Sequence, residues 1–265
     1  MKKISVFISL IFLVTSSCKK DFLEKSPIVG ITEENFYRTP EDAIAGVNAA
    51  YATLQFQLSP AGHFRWFWGD IMSDDAVKGG SGDNDVNDLL QLENFNGTSN
   101  IDLLESEWGA DYEGIYRANV VLEKVPNINM DEKLKARILG EAKFIRAWNY
   151  YNLVIMFGGV PLVDHVLAPS EYNIQRSTRD QIWDFIEKDL KEASETLWLK
   201  SEYASADLGR ATKGAAQSLL TKVYLWRNKW VEAKVTAESV IQSNEYQLTP
   251  DYADIFQSYG ANNQE

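Results

Sequence analysis

TKGAAQSLLTKVYLWRNKWVEAKVTAESVI, residues 212–241, reads as two helices and a turn. The first begins at Thr212, the second near Trp230, and Arg227-Asn228-Lys229 reverses the chain between them. Leu220 and Tyr224 precede Ala233 by 13 and 9 residues. That spacing puts a large, an aromatic and a small side chain where two antiparallel helices meet. The small Ala233 lets the second backbone come close, while Leu220 and Tyr224 fill the groove.

This is the spacing of a tetratricopeptide helical hairpin, and the preceding sequence is helical as well. Thr39-Pro40-Glu41-Asp42 is a helix start, with an N-cap hydroxyl, Pro in the first turn and acids at the positive dipole end. Ile44, Val47, Tyr51 and Leu54 follow as one stripe. A second helix is predicted from about Leu104 to Val125, with Trp108, Tyr112, Ile115 and Leu122 on one face and Pro126 ending it. A third covers about Asp131 to Phe157 and stops at Gly158-Gly159. Thr178 and Gln181 form a capping box for a fourth, which carries Ile182, Phe185, Ile186, Leu190, Ala193 and Leu197. No segment alternates with period two for more than a few residues. The expected fold is all-α: irregular tetratricopeptide-like helical hairpins with long loops. A 20-residue insert, 158–177, separates the third and fourth helices and breaks any strict repeat. Residues 58–100 are the other non-helical stretch, and loops this long inside a compact chain are usually functional or disordered.

Composition narrows the function. Of 265 residues, 45% are hydrophobic and 12% aromatic, including eight Trp, which excludes a solvated polymer. Thirty-eight acids against 26 bases leave a formal charge of −12, the wrong sign for nucleic acid. One Cys and two His exclude a disulfide scaffold and a Cys/His zinc site. The single cysteine has another use. Lys2 and Lys3 precede an apolar run from Ile4 to Val14, 11 residues against the roughly 20 that span a bilayer. Thr15-Ser16-Ser17 then lead directly to Cys18, the order of an export signal ending on a bacterial lipobox. Residues 1–17 are therefore expected to be a signal peptide, and Cys18 an acylated N-terminus anchored to a membrane rather than embedded in it.

Three blocks resemble one family: DFLEKSPIVGITEENFYRTPEDAIAGVNAAY (21–51), LGEAKFIRAWNYYNLVIMFGGVPLV (139–163) and GRATKGAAQSLLTKVYLWRNKWVEAKVTAESVI (209–241). They are similar to the SusD/RagB family of outer-membrane nutrient-binding lipoproteins, as are the Cys18 start and the helix after Thr178. The resemblance implies a SusD-like helical fold, surface exposure and capture of glycan or peptide. It also implies a SusC-like TonB-dependent transporter as partner. Family members are roughly twice this length, so residues 18–265 are expected to form the N-terminal part of the domain, with much of the binding surface contributed from a C-terminal half.

Glycan capture needs aromatic faces against the apolar faces of sugars, and carboxylates or amides on their hydroxyls. Trp66, Trp68, Asp70, Asp74, Asp75, Lys78 and Asn94 are the candidates; packing in a core or a solvated loop is the plainer use of the same residues. Asp83, Asp85 and Asp88 fail the EF-hand template, because its sixth position is Asp88 and its twelfth Asn94. His63 and His165 have no ligand-spaced companions, so no metal or cofactor is expected. Paired acids such as Glu187/Asp189 and Glu192/Glu195 read as a polar helix face, and no nucleophile elbow, phosphate loop or zinc-helix motif is present. The expectation is a binding protein and not an enzyme. The competing expectation is a tetratricopeptide-like scaffold lipoprotein that binds peptide or protein segments without glycan.

Overall fold

The computed structural model describes residues 36–58, 67–82 and 85–256. Cys18, the export signal, His63, Trp66 and Asp83 lie outside these residues. The helices are α1 (Pro40–Ala52), α2 (Asn87–Glu93), α3 (Asp102–Lys124), α4 (Glu132–Phe157), α5 (Arg179–Thr196), α6 (Lys213–Trp226) and α7 (Trp230–Gln242). One isolated antiparallel bridge, Pro161 to Arg176, accompanies them. The all-α expectation holds.

Local chemistry starts the helices where the sequence places them. The Thr39 hydroxyl accepts from the Asp42 amide at 3.2 Å, and the Asp42 carboxylate accepts from the Thr39 amide at 2.9 Å. Thr178 and Gln181 reciprocate in the same way at the head of α5. Asp131 caps α4 through the Leu134 amide at 2.8 Å, and Thr212 caps α6 through the Ala215 amide at 3.1 Å. Losing such a cap costs about 1 kcal/mol.

From α3 onward each helix packs against the next, and α1 lies across α3 and α4. Leu220, Tyr224 and Ala233 are all buried in one core with Tyr150, Leu153, Ile182, Trp183, Ile186 and Leu190. The hairpin spacing therefore has the structural meaning read from it. Other pairs use glycine as the small residue. A Cβ on Gly114 would lie 2.4 Å from the Asn149 amide nitrogen across α3 and α4, and one on Gly140 would lie 2.5 Å from the Thr196 hydroxyl across α4 and α5.

Two expectations need correction. Residues 67–101 are not a plain loop. A π-helical turn, Phe67–Ile71, and α2 gather Phe67, Ile71, Leu89, Leu92 and Ile101 into a small core of their own. Nor do Glu187 and Asp189 belong to a solvated polar face. They are 5% and 1% exposed, because α5 is covered on that side by cations from α4 and from the α6–α7 turn. Lys229, Lys191 and Arg227 surround the Glu187 carboxylate at 2.7, 3.2 and 2.5 Å. Burial works against its charge, yet those cations hold its carboxyl below the usual range.

A second buried acid behaves differently. Glu141 of α4 has no exposed surface; its Oε2 accepts from Arg210 at 3.3 Å, while Arg137 stands 3.6 Å from Oε1 without hydrogen-bond geometry. Burial outweighs both guanidinium groups and pushes its carboxyl from 4.5 up to about 7. The folded chain thus holds an extra proton between those two values. The stability this carries is complete below pH 4.5 and is lost as pH rises through about 7. Wild type should lose up to about 3 kcal/mol more than Glu141→Gln between pH 5 and 8. Denaturant melts of both proteins at the two pH values check this, and equal slopes would mean that Glu141 is ionised throughout.

Candidate functional site

Two places on the helical array carry polar and aromatic groups that the core does not use. The first is the 67–101 lobe. Asp70, Asp74 and Asp75 are exposed on the turn that leaves Phe67–Ile71. Ser73 shapes that turn: its hydroxyl donates to the Asp70 carbonyl at 2.9 Å and accepts from the Asp75 amide at 3.1 Å. Both carboxylates of Asp74 and Asp75 are left facing solvent. Trp68 falls within the same turn.

Lys78 and Asn94 serve the lobe itself. The Lys78 amide donates to Glu93 at 3.0 Å and its ammonium to the Gly82 carbonyl at 2.7 Å, tying the loop to the end of α2. The Asn94 side-chain amide donates to the Leu90 carbonyl at 2.8 Å, closing α2. The residue missed by the sequence reading is Phe95. It has a left-handed φ of 54° and is 72% exposed. An exposed phenylalanine, in a lobe that also exposes the carboxylates of Asp70, Asp74 and Asp75, offers the two kinds of group that sugars use.

The second place is the 158–177 connection, which is built as a wall rather than left as a loop. Four side chains from α3 and α4 fasten it. Tyr112 donates to the Pro161 carbonyl at 2.7 Å. Tyr150, wholly buried, accepts from the Val163 amide at 2.6 Å and reaches the Val163 carbonyl at 3.1 Å. Asn119 donates to the carbonyls of Val163 and His165, both at 3.1 Å. Arg146 donates to the Asp164 carbonyl at 2.9 Å and to Asn119 at 2.7 Å, and forks onto Asp189 at 2.7 and 2.8 Å. Burial pushes the Asp189 carboxyl up, against the pull of Arg146.

Between this wall and α3 lies a cleft of about 210 Å³ lined by Tyr112, Ile115, Tyr116, Val163, Leu167 and Tyr172, with His165 at its edge. His165 lies 2.7 Å from Asp164 and 3.3 Å from Glu171, and these hydrogen bonds hold the imidazole above its ordinary value. A wider cleft of about 470 Å³ runs between α1 and residues 206–210. Its cation, Arg210, is bonded to Asp207, Glu141 and Asn48, so it is already committed to the fold. Among the described residues no group of three or more His, Cys, Asp or Glu is arranged to hold a metal, and no helix is long and apolar enough to cross a membrane.

The family described as SusD-like, starch-binding and associating with the outer membrane matches residues 66–225, well over half of the chain. The chain belongs to the SusD-like family. A SusD-like protein of Formosa agariphila is 32% identical over 253 residues, covering 94% of this chain and 47% of that relative. A solved laminarin-binding SusD-like protein superimposes with a TM-score of 0.80 at 32% identity, over 86% of this chain and 50% of the other. Surface glycan-binding protein A from Bacteroides uniformis matches with a TM-score of 0.77 at 26% identity, over 84% and 50% of the two chains. This SusD-like chain thus spans about half the length of the relatives it matches. The family match runs through both the 67–101 lobe and the 158–177 wall.

Proposed function

We propose that this chain is the N-terminal part of a cell-surface lipoprotein that captures oligo- or polysaccharide, without cleaving it, and delivers it to a SusC-like TonB-dependent transporter in the outer membrane. The observation that carries the reading is the shared fold and 32% identity with a laminarin-binding relative. Within this chain, the 67–101 lobe supports it by exposing Phe95 together with Asp70, Asp74 and Asp75. Trp66 and Trp68, read from the sequence, are further proposed aromatic contacts. Residues 1–17 are the proposed export signal and Cys18 the lipid-bearing residue.

The proposed transporter contact uses the outer surface of the helical array. On α7, Trp230, Val231, Val235 and Ile241 are 61, 73, 59 and 73% exposed and offer apolar side chains to a partner. Native gels cast with laminarin, starch or xylan test capture. Wild type should be retarded by at least one of them. Trp66→Ala, Trp68→Ala or Phe95→Ala should weaken retardation about fivefold, one stacking contact being worth about 1 kcal/mol. Helicity by circular dichroism should not change. Full retardation in all three variants would remove the lobe from the binding surface.

A further inference from the structure

The cleft between α3 and the 158–177 wall takes no part in that reading, yet it has the features of a site. Its volume, about 210 Å³, is below the roughly 300–1,000 Å³ of clefts for drug-sized ligands, so it suits one ring rather than an extended molecule. Its floor is Ile115, Val163 and Leu167, with Tyr112 turned toward Pro161. Two further tyrosines stand at its mouth: Tyr116 is 48% exposed and Tyr172 69%. Neither of their hydroxyls has a partner among the described residues. Because both rings line the same apolar hollow, they form a patch rather than scattered single residues.

The rim supplies the opposite chemistry. Asp164 and Glu171 flank His165, and each carboxyl is held below its usual range, Asp164 by the imidazole and Glu171 by the Ala168 amide. Charged carboxylates accept hydrogen bonds from hydroxyl groups and repel anions, on a chain whose formal charge is already −12. The wall is held in place by Arg146, Asn119, Tyr112 and Tyr150, so little ordering is needed when a ligand arrives.

We propose that this cleft is a second carbohydrate subsite, which takes one neutral sugar ring against Tyr116 and Tyr172 with its hydroxyls on the Asp164–His165–Glu171 rim. The inference rests on the glycan-capture reading and extends it to a class, neutral rather than uronate or sulfated glycan. The ring faces, not the phenol hydroxyls, supply most of the binding. An apolar side chain from a partner protein would fit the floor but leave the carboxylate rim idle.

The test compares wild type with Tyr116→Ala/Tyr172→Ala and Tyr116→Phe/Tyr172→Phe in native gels cast with laminarin, starch, xylan or alginate. Thermal melts confirm that each variant is folded. Wild type should be retarded by at least one neutral polymer and not by alginate. The double Ala variant should bind about thirtyfold more weakly, two stacking contacts being lost, and the double Phe variant within about twofold of wild type. Unchanged retardation of the double Ala variant, while Trp68→Ala or Phe95→Ala reduces it, overturns the subsite and leaves capture by the lobe standing; that is also the outcome if the cleft takes a protein side chain. Equal retardation by alginate overturns the neutral class. If wild type is retarded by none of the four polymers, both the subsite and the capture reading fail.

Discussion

Arg146→Met is expected to destabilise the chain by about 3–5 kcal/mol. Its guanidinium is 8% exposed and holds the Asp189 carboxylate at two points, together with Asn119 and the Asp164 carbonyl. Methionine fills much of the volume but leaves Asp189, 1% exposed, without its counter-charge. For a domain of this size that is a fall of about 10 °C in melting temperature. Arg146→Met/Asp189→Leu should recover part of the loss, because an apolar pair removes the stranded charge. Recovery should not be complete, since Asn119 and the Asp164 carbonyl still lack a donor. A single variant within 1 kcal/mol of wild type would mean that the wall is held by something other than this fork.

Tyr150→Ala comes next, at about 3–5 kcal/mol for loss of a fully buried aromatic side chain. The ring packs edge-on to Phe185 and Tyr112, at centroid distances of 5.4 and 6.5 Å. Tyr150→Phe separates that packing from the hydroxyl. It should cost about 1–3 kcal/mol, because the Val163 amide and carbonyl lose their partner. The hydroxyl also sets the position of the wall. Hydrogen exchange at Val163 should therefore quicken in Tyr150→Phe while exchange in α6 stays as in wild type. Stability equal to wild type in the Phe variant would place the fastening of the wall on Tyr112 and Asn119 alone.

These two residues explain why the helices were legible in the sequence and the wall was not. Helix starts at Thr39, Asp131, Thr178 and Thr212 are written within four residues, so the capping chemistry can be read locally. The Leu220–Tyr224–Ala233 spacing is nearly as local. The wall takes its order from Tyr112, Asn119, Arg146 and Tyr150, between 13 and 49 residues away from the groups they bind. Seen alone, 158–177 is two prolines and a mixture of polar and apolar residues, indistinguishable from a mobile connection. The same reasoning explains Glu187 and Asp189. An acid on an amphipathic helix reads as solvated unless its partner is known, and here the partners come from α4 and from the α6–α7 turn.

The proposed binding lobe was legible only in part. Clustered Asp residues and aromatic side chains mark residues 66–94 as unlike the rest of the chain. Their roles then divide according to backbone geometry that the sequence does not state. Lys78 and Asn94 are spent on the lobe's own backbone carbonyls, while Phe95, within the polar string Asn94-Phe95-Asn96-Gly97, is left exposed at a left-handed φ. No spacing rule would have singled it out. The aromatic cleft at Tyr116 was equally hidden, because Tyr116 sits one helical turn from Tyr112 and nothing in the sequence says that Tyr116 is left exposed while Tyr112 is fastened to Pro161.

Capture without turnover is the central claim, and a calorimetric titration of wild type with laminarin oligosaccharides, followed by a reducing-end assay on the same sample, tests it most directly. Stacking and neutral hydrogen bonds, each worth about 0.5–1.5 kcal/mol, predict saturable heat with weak affinity for short oligosaccharides. Longer chains should bind more tightly through repeated contact, and no new reducing ends should form. No heat at any chain length, or reducing ends that accumulate with time, would contradict the account.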